Sequence, residues 1–375
     1  MSGTIPILLD CDPGHDDAVA LLLAVGSPRI DLRAVTTTFG NCCVDDATRN
    51  ALRVLALVGA TDVPVARGAA GPLCGELELG NYVHGASGLD GPELPEPQTS
   101  AVDRTAIQLI GQVLDESSEP VTIVATGPLT NVGRLLRDQP EVVSRIKEVV
   151  FMGGSTERGN HTPAAEFNTY ADPEALDIVL RSGVAVRMVG LNLTHQALAT
   201  REVVERMQAM DHQVGRVGAG WMGFFGSSYS RIWEFDAPPV HDPCTIAALI
   251  EPDLIRWRDA FVAVELDGTW TRGATVVDLH HRYPEQPPNA QVAIDLDAEQ
   301  YWDLVLSCVD TLGRGRLTSQ PPEGSVSSAP STSTARSEWP RSPDRGRPSS
   351  RPDARSPRAA RVRTRPSPRG GTEAT

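Results

Sequence analysis

Four aspartates crowd a short stretch near the N-terminus, where a strand is expected to turn into a helix. The apolar run at residues 5–9 predicts a buried strand of a parallel sheet. Asp10 and Asp12 follow at its carboxyl end, and Asp16 and Asp17 fall in the first turn of the apolar helix that comes next. Like charges this close are costly to bury unless a cation lies among them. The stretch therefore predicts an oxygen-ligand site for a hard cation such as Ca²⁺ or Mg²⁺.

An acid-rich helix start is the alternative interpretation of the same stretch. Acidic side chains in a first turn interact favourably with the helix dipole, and Asp12 is a suitable residue to cap the helix. This interpretation accounts for two of the four acids at most, so the cation site is the stronger prediction.

Strands and helices alternate along most of the chain. Further strands are predicted at residues 32–38, 121–126, 148–152 and 184–190. This alternation predicts an α/β fold with a mostly parallel sheet and helices on both faces. Ligands of such sheets bind outside the carboxyl ends of the strands, which is where the unusual polar clusters of this sequence fall. The placement indicates an enzyme that acts on a small molecule.

The connections between these strands carry the remaining signals. Helices are predicted at residues 44–59, 101–117, 200–235 and 297–312, and Asp172 is expected to cap another helix. The aromatic stripe within residues 200–235 is interpreted as core, with a surface that faces a ligand as the alternative. Residues 68–97 are rich in Gly and Pro, and a long irregular segment of this kind is usually a functional or a disordered loop.

Charge and composition divide the chain into two parts. Eleven Arg and five acidic residues lie from Ser319 onward, and the whole chain carries −14, so residues 1–318 carry about −20. We expect a catalytic domain at residues 1–317 and a disordered tail, rich in Arg, Ser and Pro, at residues 318–375. The acidic domain argues against nucleic acid or an anionic membrane as its partner. A basic arm that touches acidic partners or nucleic acid is the alternative for the tail.

Cysteine usage and the N-terminus bear on the compartment. The six cysteines form no CxxC pair, which favours reduced thiols over a zinc site or a disulfide scaffold. The first predicted strand begins within a few residues of the N-terminus, so no signal peptide is expected. No apolar run approaches the length of a membrane span. The prediction is a cytoplasmic protein without a membrane anchor.

Separated segments of the chain resemble the inosine–uridine-preferring nucleoside hydrolases. Residues 10–17 (DCDPGHDD) look like the signature of that family. The other matching segments are Gly40-Asn41, Val83-His84-Gly85, TGPLTN at residues 126–131, Met152-Gly153-Gly154, Gly159-Asn160, AEFN at residues 165–168 and VHDPC at residues 240–244. A DxDxG motif alone is weak, whereas the full ordered set is highly specific. The resemblance covers about residues 5–312.

The resemblance implies a Ca²⁺-dependent enzyme. Such an enzyme cleaves the N-glycosidic bond of purine or pyrimidine ribonucleosides, for example inosine or uridine, to free base and ribose. One Ca²⁺ per chain is expected, held by Asp12, Asp17, Asp242 and the backbone carbonyl of Thr126, with Asp10 close behind them. Asp16 resembles the general base that takes a proton from the attacking water, with inversion at the sugar carbon. The expected assembly is a homodimer or homotetramer.

The resemblance also implies the substrate contacts. Asn41, Asn160, Glu166 and Asn168 are expected to hold the ribose hydroxyls, with Met152 and Phe167 beside the sugar. His241 is expected to act as the acid at the leaving base, with His84 reaching in from the loop and Tyr229 on the base side. Phe225 and Trp233 stand where some members of the family have hydroxyl-bearing or charged side chains.

Two other functions are compatible with parts of this sequence. A phosphatase of the haloacid dehalogenase type also starts with a DxD at a strand end, but it needs a Lys near the phosphate. The only Lys, Lys147, lies at the start of a predicted strand, away from the crevice. A non-catalytic, Ca²⁺-dependent nucleoside-binding protein would look almost the same, although the presence of Asp16 and His241 favours turnover.

Overall fold

A nine-stranded sheet organises the part of the chain that the structure describes. The structure is a computed structural model that describes residues 3–233 and 235–319, with side chains up to residue 315. The strands are β1 (Ile5–Cys11), β2 (Ile30–Thr37), β3 (Val65–Arg67), β4 (Val121–Ala125), β5 (Ile146–Met152), β6 (Val186–Val189), β7 (Ile255–Val264), β8 (Thr275–Asp278) and β9 (Ala290–Leu296). They lie in the order β3-β2-β1-β4-β5-β6-β9-β7-β8. Only the pairs that involve β7 are antiparallel, so the sheet is mostly parallel, as the sequence predicts.

Helices connect and cover these strands. They are α1 (His15–Gly26), α2 (Val44–Val58), α3 (Asn81–His84), α4 (Ala106–Glu116), α5 (Thr130–Asp138), α6 (Phe167–Ala171), α7 (Pro173–Arg181), α8 (Leu191–Thr194), α9 (Arg201–Gln208), α10 (Gln213–Trp233), α11 (Pro243–Ile250) and α12 (Ala298–Ser319). Short 3₁₀ helices span Pro140–Arg145 and Pro252–Leu254. As predicted, Asp172 caps α7, because its Oδ1 accepts a hydrogen bond of 3.1 Å from Ala175 N. Within the described residues, no helix combines the length and the apolar character that crossing a membrane requires.

Both faces of the sheet are buried by helices. Side chains alternate between the two faces along a strand. On β1, Ile7 and Leu9 join an apolar core that includes residues of α1, α11 and α12. Leu8, between them, joins a second core with residues of α4, α5 and α7. The predicted α/β architecture with two covered faces is therefore confirmed, and it explains why β1 is apolar throughout.

Two segments near the C-terminal end of the fold differ from the prediction. Residues 200–235 form two helices, and α10 starts after a break at which His212 Nδ1 accepts a hydrogen bond of 3.0 Å from Gly215 N. The last helix, α12, extends to Ser319 and therefore passes residue 312, where the amphipathic pattern predicted its end. The rest of the predicted tail lies outside the described residues.

The sheet brings separate parts of the chain to one edge. β1 lies beside β4, and β4 lies beside β5, all three parallel. Asp12 follows β1, Thr126 follows β4 and Met152 ends β5, so these residues meet at the carboxyl edge of neighbouring strands. The predicted position of the site at this edge therefore follows directly from the strand order.

Candidate active site

The turn after β1 is the first element of the site. Asp17 Oδ2 accepts a hydrogen bond of 3.0 Å from the backbone N–H of Gly14, the residue that precedes α1. Asp17 therefore stabilises the start of the helix, as the alternative interpretation proposed. Asp12 does not cap this helix, because its Oδ2 accepts a hydrogen bond of 2.7 Å from Asn41 N. A helix start accounts for Asp17 and leaves Asp12 and Asp16 to be explained.

Three buried carboxylates converge at this point, and we call them the aspartate floor: Asp16, Asp17 and Asp242. One oxygen of each lies within 4.8 Å of the others. Asp242 joins the group from the start of α11, although it lies far from Asp16 and Asp17 along the chain. Burial and the charge of Asp17 raise the pKa of Asp16 to about 7. Burial, followed by the charges of Asp16 and Asp17, raises the pKa of Asp242 well above its usual range.

The aspartate floor fits a hard divalent cation. The side-chain oxygens that it presents all belong to carboxylates, the type of ligand that Ca²⁺ and Mg²⁺ prefer. Asp16 Oδ1 and Asp12 Oδ1 are buried and have no hydrogen-bond partner among the described residues. Such orphaned anionic oxygens are costly unless a cation or a proton compensates them. Asp12 lies beside the floor and outside the group of three whose oxygens are mutually within 4.8 Å.

Two residues predicted for this region support the floor from behind. Asp10 Oδ1 accepts hydrogen bonds of 2.6 Å from Thr36 Oγ1 and 2.8 Å from Asn131 Nδ2. Burial nevertheless raises the pKa of Asp10 to about 6. Thr126 Oγ1 donates to Asp17 Oδ1 at 2.7 Å, and the Thr126 carbonyl accepts from Asn168 Nδ2 at 2.8 Å. The bonds of Thr126 fix the direction of the Asp17 carboxylate and of the Thr126 carbonyl.

A cleft is open to this floor, and its empty volume, open solvent included, is about 480 Å³. Asp16 and Asp242 line it, together with Thr126 and His241. Every residue predicted to contact substrate also lines it: Asn41, His84, Met152, Asn160, Glu166, Phe167, Asn168 and Tyr229. Asp10, Asp12 and Asp17 lie behind the cleft surface. The residues predicted to contact substrate therefore lie together at one cleft, and their roles remain predictions.

Backbone hydrogen bonds fix the polar side of the cleft. Glu166 caps α6 by accepting bonds from Asn168 N at 2.9 Å and Thr169 N at 3.0 Å. Asn160 Oδ1 accepts a bond of 3.0 Å from Phe167 N, which ties the loop after β5 to the same helix. Burial raises the pKa of Glu166. This side can therefore present acceptors and amide donors to a polyhydroxylated ligand with little rearrangement.

The opposite side of the cleft holds a chain of hydrogen bonds through His241. Its Nδ1 lies 2.7 Å from Thr194 Oγ1, and its Nε2 lies 2.7 Å from the hydroxyl of Tyr229. Burial lowers the pKa of His241 well below its usual range. Burial, and then the charge of Asp16, raises the pKa of Tyr229 well above its usual range. Both groups are therefore neutral near pH 7.

Aromatic rings surround this chain, and we call Tyr82, Phe225, Tyr229 and Trp233 the aromatic wall. Ring centroids are 4.7 Å apart for Phe225 and Tyr229, 4.5 Å for Tyr229 and Trp233, and 6.4 Å for Tyr82 and Trp233. All four residues line the cleft. Tyr229 lies where it was predicted, at the cleft, and Phe225 and Trp233 join it there although the stripe predicted core packing for them. Trp221 is core as expected.

Comparison with known proteins identifies the fold and the enzyme class. The family model described as inosine-uridine preferring nucleoside hydrolase matches residues 7–303. The chain belongs to this family. It is 48% identical over 302 residues to the pyrimidine-specific ribonucleoside hydrolase RihA of Shigella boydii serotype 4, which covers 80% of this chain and 97% of that protein. The RihA of Salmonella newport matches with the same identity and coverage.

Solved nucleoside hydrolases share the fold. The purine-preferring ribonucleoside hydrolase from Gardnerella vaginalis superposes with a TM-score of 0.77 and 29% identity, over 82% of this chain and 99% of that one. The plant nucleoside hydrolase PpNRh1 superposes with a TM-score of 0.76 and 32% sequence identity, again over 82% of this chain and 99% of that one. The family and enzyme class expected from the sequence are confirmed. The phosphatase and the non-catalytic binding protein are set aside.

Some residues of this nucleoside hydrolase site were missed from the sequence. Tyr82 and Val83 line the cleft from α3, a helix of one turn that has no periodicity to detect. The only signal for Tyr82 was its place within the irregular segment 68–97, whereas Val83 also lies in the family-matching segment Val83-His84-Gly85. Thr194 contacts His241 from α8, and its signal was its position after the strand β6. The homo-oligomeric assembly and the cytoplasmic location remain predictions.

Proposed function

We propose that this nucleoside hydrolase cleaves pyrimidine ribonucleosides and that it depends on one Ca²⁺ per chain. The observation that carries the proposal is the meeting of Asp16, Asp17 and Asp242 beside a cleft whose polar side presents amide and carboxylate side chains. The relatives at 48% identity are named pyrimidine-specific, which supports uridine and cytidine as first substrates. A similar solved structure is named purine-preferring, so inosine belongs in the same test.

The proposed cation ligands are Asp12, Asp17, Asp242 and the carbonyl of Thr126. When bound, the cation supplies a charge that holds the sugar diol and lowers the pKa of the attacking water. Asn41 supports this arrangement from the side, since its backbone N–H and its amide group donate to Asp12 and Asp17. An all-oxygen ligand set favours Ca²⁺ over the softer transition metals.

Asp16 is the proposed general base. Its Oδ1 has no hydrogen-bond partner among the described residues, and the side chain lines the cleft. Asp17 is less suited to this role, because each of its carboxylate oxygens already accepts two hydrogen bonds. Asp16 therefore takes a proton from a water that attacks the sugar opposite the leaving base. That geometry gives inversion at the sugar carbon.

The leaving base meets the chain of Thr194, His241 and Tyr229. Among the described residues, His241 Nδ1 is the only acceptor for the Thr194 hydroxyl, so Thr194 donates to it. The neutral imidazole then carries its proton on Nε2 and donates it to the Tyr229 oxygen. This arrangement leaves the Tyr229 O–H free to donate to the base. We therefore propose that Tyr229 donates the hydrogen bond to the leaving base and that His241, which was expected to act as the acid alone, supports it.

The polar side of the cleft orients the sugar in this proposal. Asn41, Asn160, Glu166 and Asn168 hold the ribose hydroxyls, with Met152 and Phe167 against the ring. Holding the ring lets the remote hydroxyls contribute to the reaction, because their contacts strengthen as the sugar gains positive charge. The base itself meets His84 and the aromatic wall, which offer few hydrogen bonds.

A substrate panel with defined metal content tests the proposal. Release of free ribose is measured for uridine, cytidine, inosine and adenosine, after metal analysis of the purified chain. We expect about one Ca²⁺ per chain and a higher kcat/KM for uridine and cytidine than for the purines. Chelation should abolish turnover, and Ca²⁺ should restore it better than Mg²⁺. Full activity after exhaustive chelation would contradict the metal assignment, and a preference for inosine would contradict the pyrimidine assignment.

A further inference from the structure

His15 is a fully buried histidine to which the mechanism gives no role. It lies in the turn that builds the aspartate floor, between Gly14 and Asp16, and its relative exposure is 0%. A buried imidazole needs hydrogen bonds for its ring nitrogens. Those of His15 lead away from the floor, toward the segment between His84 and Asp90, which we call the 84–90 turn.

The ring of His15 contacts both ends of the 84–90 turn. Its Nε2 lies 2.8 Å from the carbonyl oxygen of Asp90, and because a carbonyl only accepts, Nε2 carries the proton. His15 Nδ1 can therefore only accept, and it lies 3.1 Å from His84 Nδ1, which donates to it when His84 carries its proton on that nitrogen. In the other tautomer of His84, the same nitrogen accepts from the His15 backbone N–H at 3.2 Å. No other described residue hydrogen-bonds to the His84 ring, so Nε2 is the nitrogen that His84 can offer to a ligand.

The 84–90 turn is closed on itself, so contacts at its ends hold all of it. Asp90 N donates to the His84 carbonyl at 3.2 Å. The Asp90 carboxylate accepts bonds from Ala86 N at 2.8 Å and Ser87 N at 3.1 Å. Asn50 anchors the middle of the turn by donating to the Ser87 carbonyl at 2.8 Å. His15 and Asn50 together fix the turn against the start of α1.

Stacked rings hold His15 in place. Its centroid lies 5.3 Å from that of His84, 5.0 Å from that of Phe224 and 5.5 Å from that of Phe225, with interplanar angles of 20° or less. Offset stacking at such distances is favourable. His15 thus joins three parts of the site: the floor turn, the 84–90 turn and the helix α10.

We propose that His15 is a positioning residue that holds the His84 ring and the 84–90 turn against the cleft. It acts through His84, so its effect on turnover rests on the proposed function. Its effect on the order of the turn does not. Loss of the ring nitrogens should free the turn and let His84 leave its position, while the floor residues stay in place.

Two substitutions separate the contacts of His15. His15→Phe keeps a flat ring for stacking and removes both ring nitrogens. His15→Gln places an amide where it can donate to the Asp90 carbonyl, as Nε2 does. His212→Phe is the matched control, because His212 is also buried but contacts Gly215 and Asp310, away from the cleft. Metal content is measured for every variant.

Amide hydrogen exchange reads the turn directly. With His15→Phe, we expect exchange in residues 84–90 to rise roughly 3–10-fold, as loss of one buried hydrogen bond predicts, with metal content unchanged. His15→Gln should restore at least half of the protection, and His212→Phe should leave this segment unaffected. Unchanged exchange with His15→Phe would overturn the proposal, and so would loss of the metal, which would place His15 in support of the floor.

A double-mutant cycle measures whether the effect of His15 on turnover depends on His84. We expect His15→Phe to lower kcat about tenfold with a smaller change in KM, and to add nothing further to His84→Ala. Losses that multiply in His15→Phe/His84→Ala would overturn the proposal. If the wild-type enzyme hydrolysed no ribonucleoside, the proposed function would fail, whereas the exchange measurement would still decide the role of His15.

Discussion

The aspartate floor and the aromatic wall face the same cleft but are built by different physics. The floor is held by hydrogen bonds. Asp17, for example, accepts four of them, from two backbone N–H groups, a hydroxyl and a side-chain amide. The wall is joined mainly by ring contacts, and its outermost member, Tyr82, is 46% exposed. The starts of α1 and α11 therefore hold the floor, while packing between α3 and α10 holds the wall. The difference suggests that bond cleavage and base choice are separable.

The substitution with the largest expected effect on the floor is Asp17→Ala. Asp17 connects the proposed cation to the start of α1, so its loss should remove both the metal and the alignment of the floor. We expect kcat to fall by roughly 10⁴-fold or more, since a catalytic cation supplies several kcal/mol. Metal analysis and a ribose-release assay check this. A variant that keeps its metal and most of its turnover would show that Asp17 is only a helix-start residue.

Asp16→Asn separates two functions within the floor. Asp16 is assigned to the water and not to the cation, so the variant should retain the metal and bind ribonucleoside with little change. Turnover should fall about 10²–10⁴-fold, the range typical of a lost general base. Equilibrium binding of uridine and metal analysis are measured beside kcat. If Asp16→Asn also loses the metal, Asp16 is a cation ligand and the base must be sought elsewhere.

The floor could be predicted from the sequence more completely than the wall. Asp16 and Asp17 lie in the first turn of α1, the helix that follows β1, and a parallel sheet places its ligands at that edge, so a local motif and a general rule sufficed. Asp242 lies 225 residues from Asp17 along the chain, and only the resemblance to a known family placed it in the same site. No periodicity in the sequence brings such distant residues together.

The wall shows why the rest could not be predicted. Phe225, Tyr229 and Trp233 recur at helical spacing, which identifies a face of α10 but not what that face meets. A buried aromatic face packs equally well against a core or against a ligand cleft. The decision depends on α3 and the 84–90 turn, which have no periodic pattern of their own. Whether this face of α10 meets a core or a cleft is thus decided by tertiary packing between segments without a repeating pattern, which the sequence does not reveal.

The chain of Thr194, His241 and Tyr229 lies where floor and wall meet. Tyr229→Phe removes the donor at its end and His241→Ala breaks it in the middle, so both should slow inosine hydrolysis about 10²-fold or more. Both should slow a nitrophenyl riboside much less, because that leaving group departs without a proton. The measurement is kcat for each substrate in each variant. Equal losses on the two substrates would remove this chain from the leaving-group role.

The smallest expected effect is on the wall itself, with Trp233→Phe. The indole packs on Tyr229 at 4.5 Å, and such ring pairs contribute about 0.5–1.5 kcal/mol, so KM for uridine should change roughly 2–10-fold. Metal content and kcat for a nitrophenyl riboside should stay the same, because the floor is untouched. Trp270→Phe is the matched control, since Trp270 is 86% exposed and does not line the cleft. A fall in metal affinity with Trp233→Phe would show that wall and floor are coupled after all.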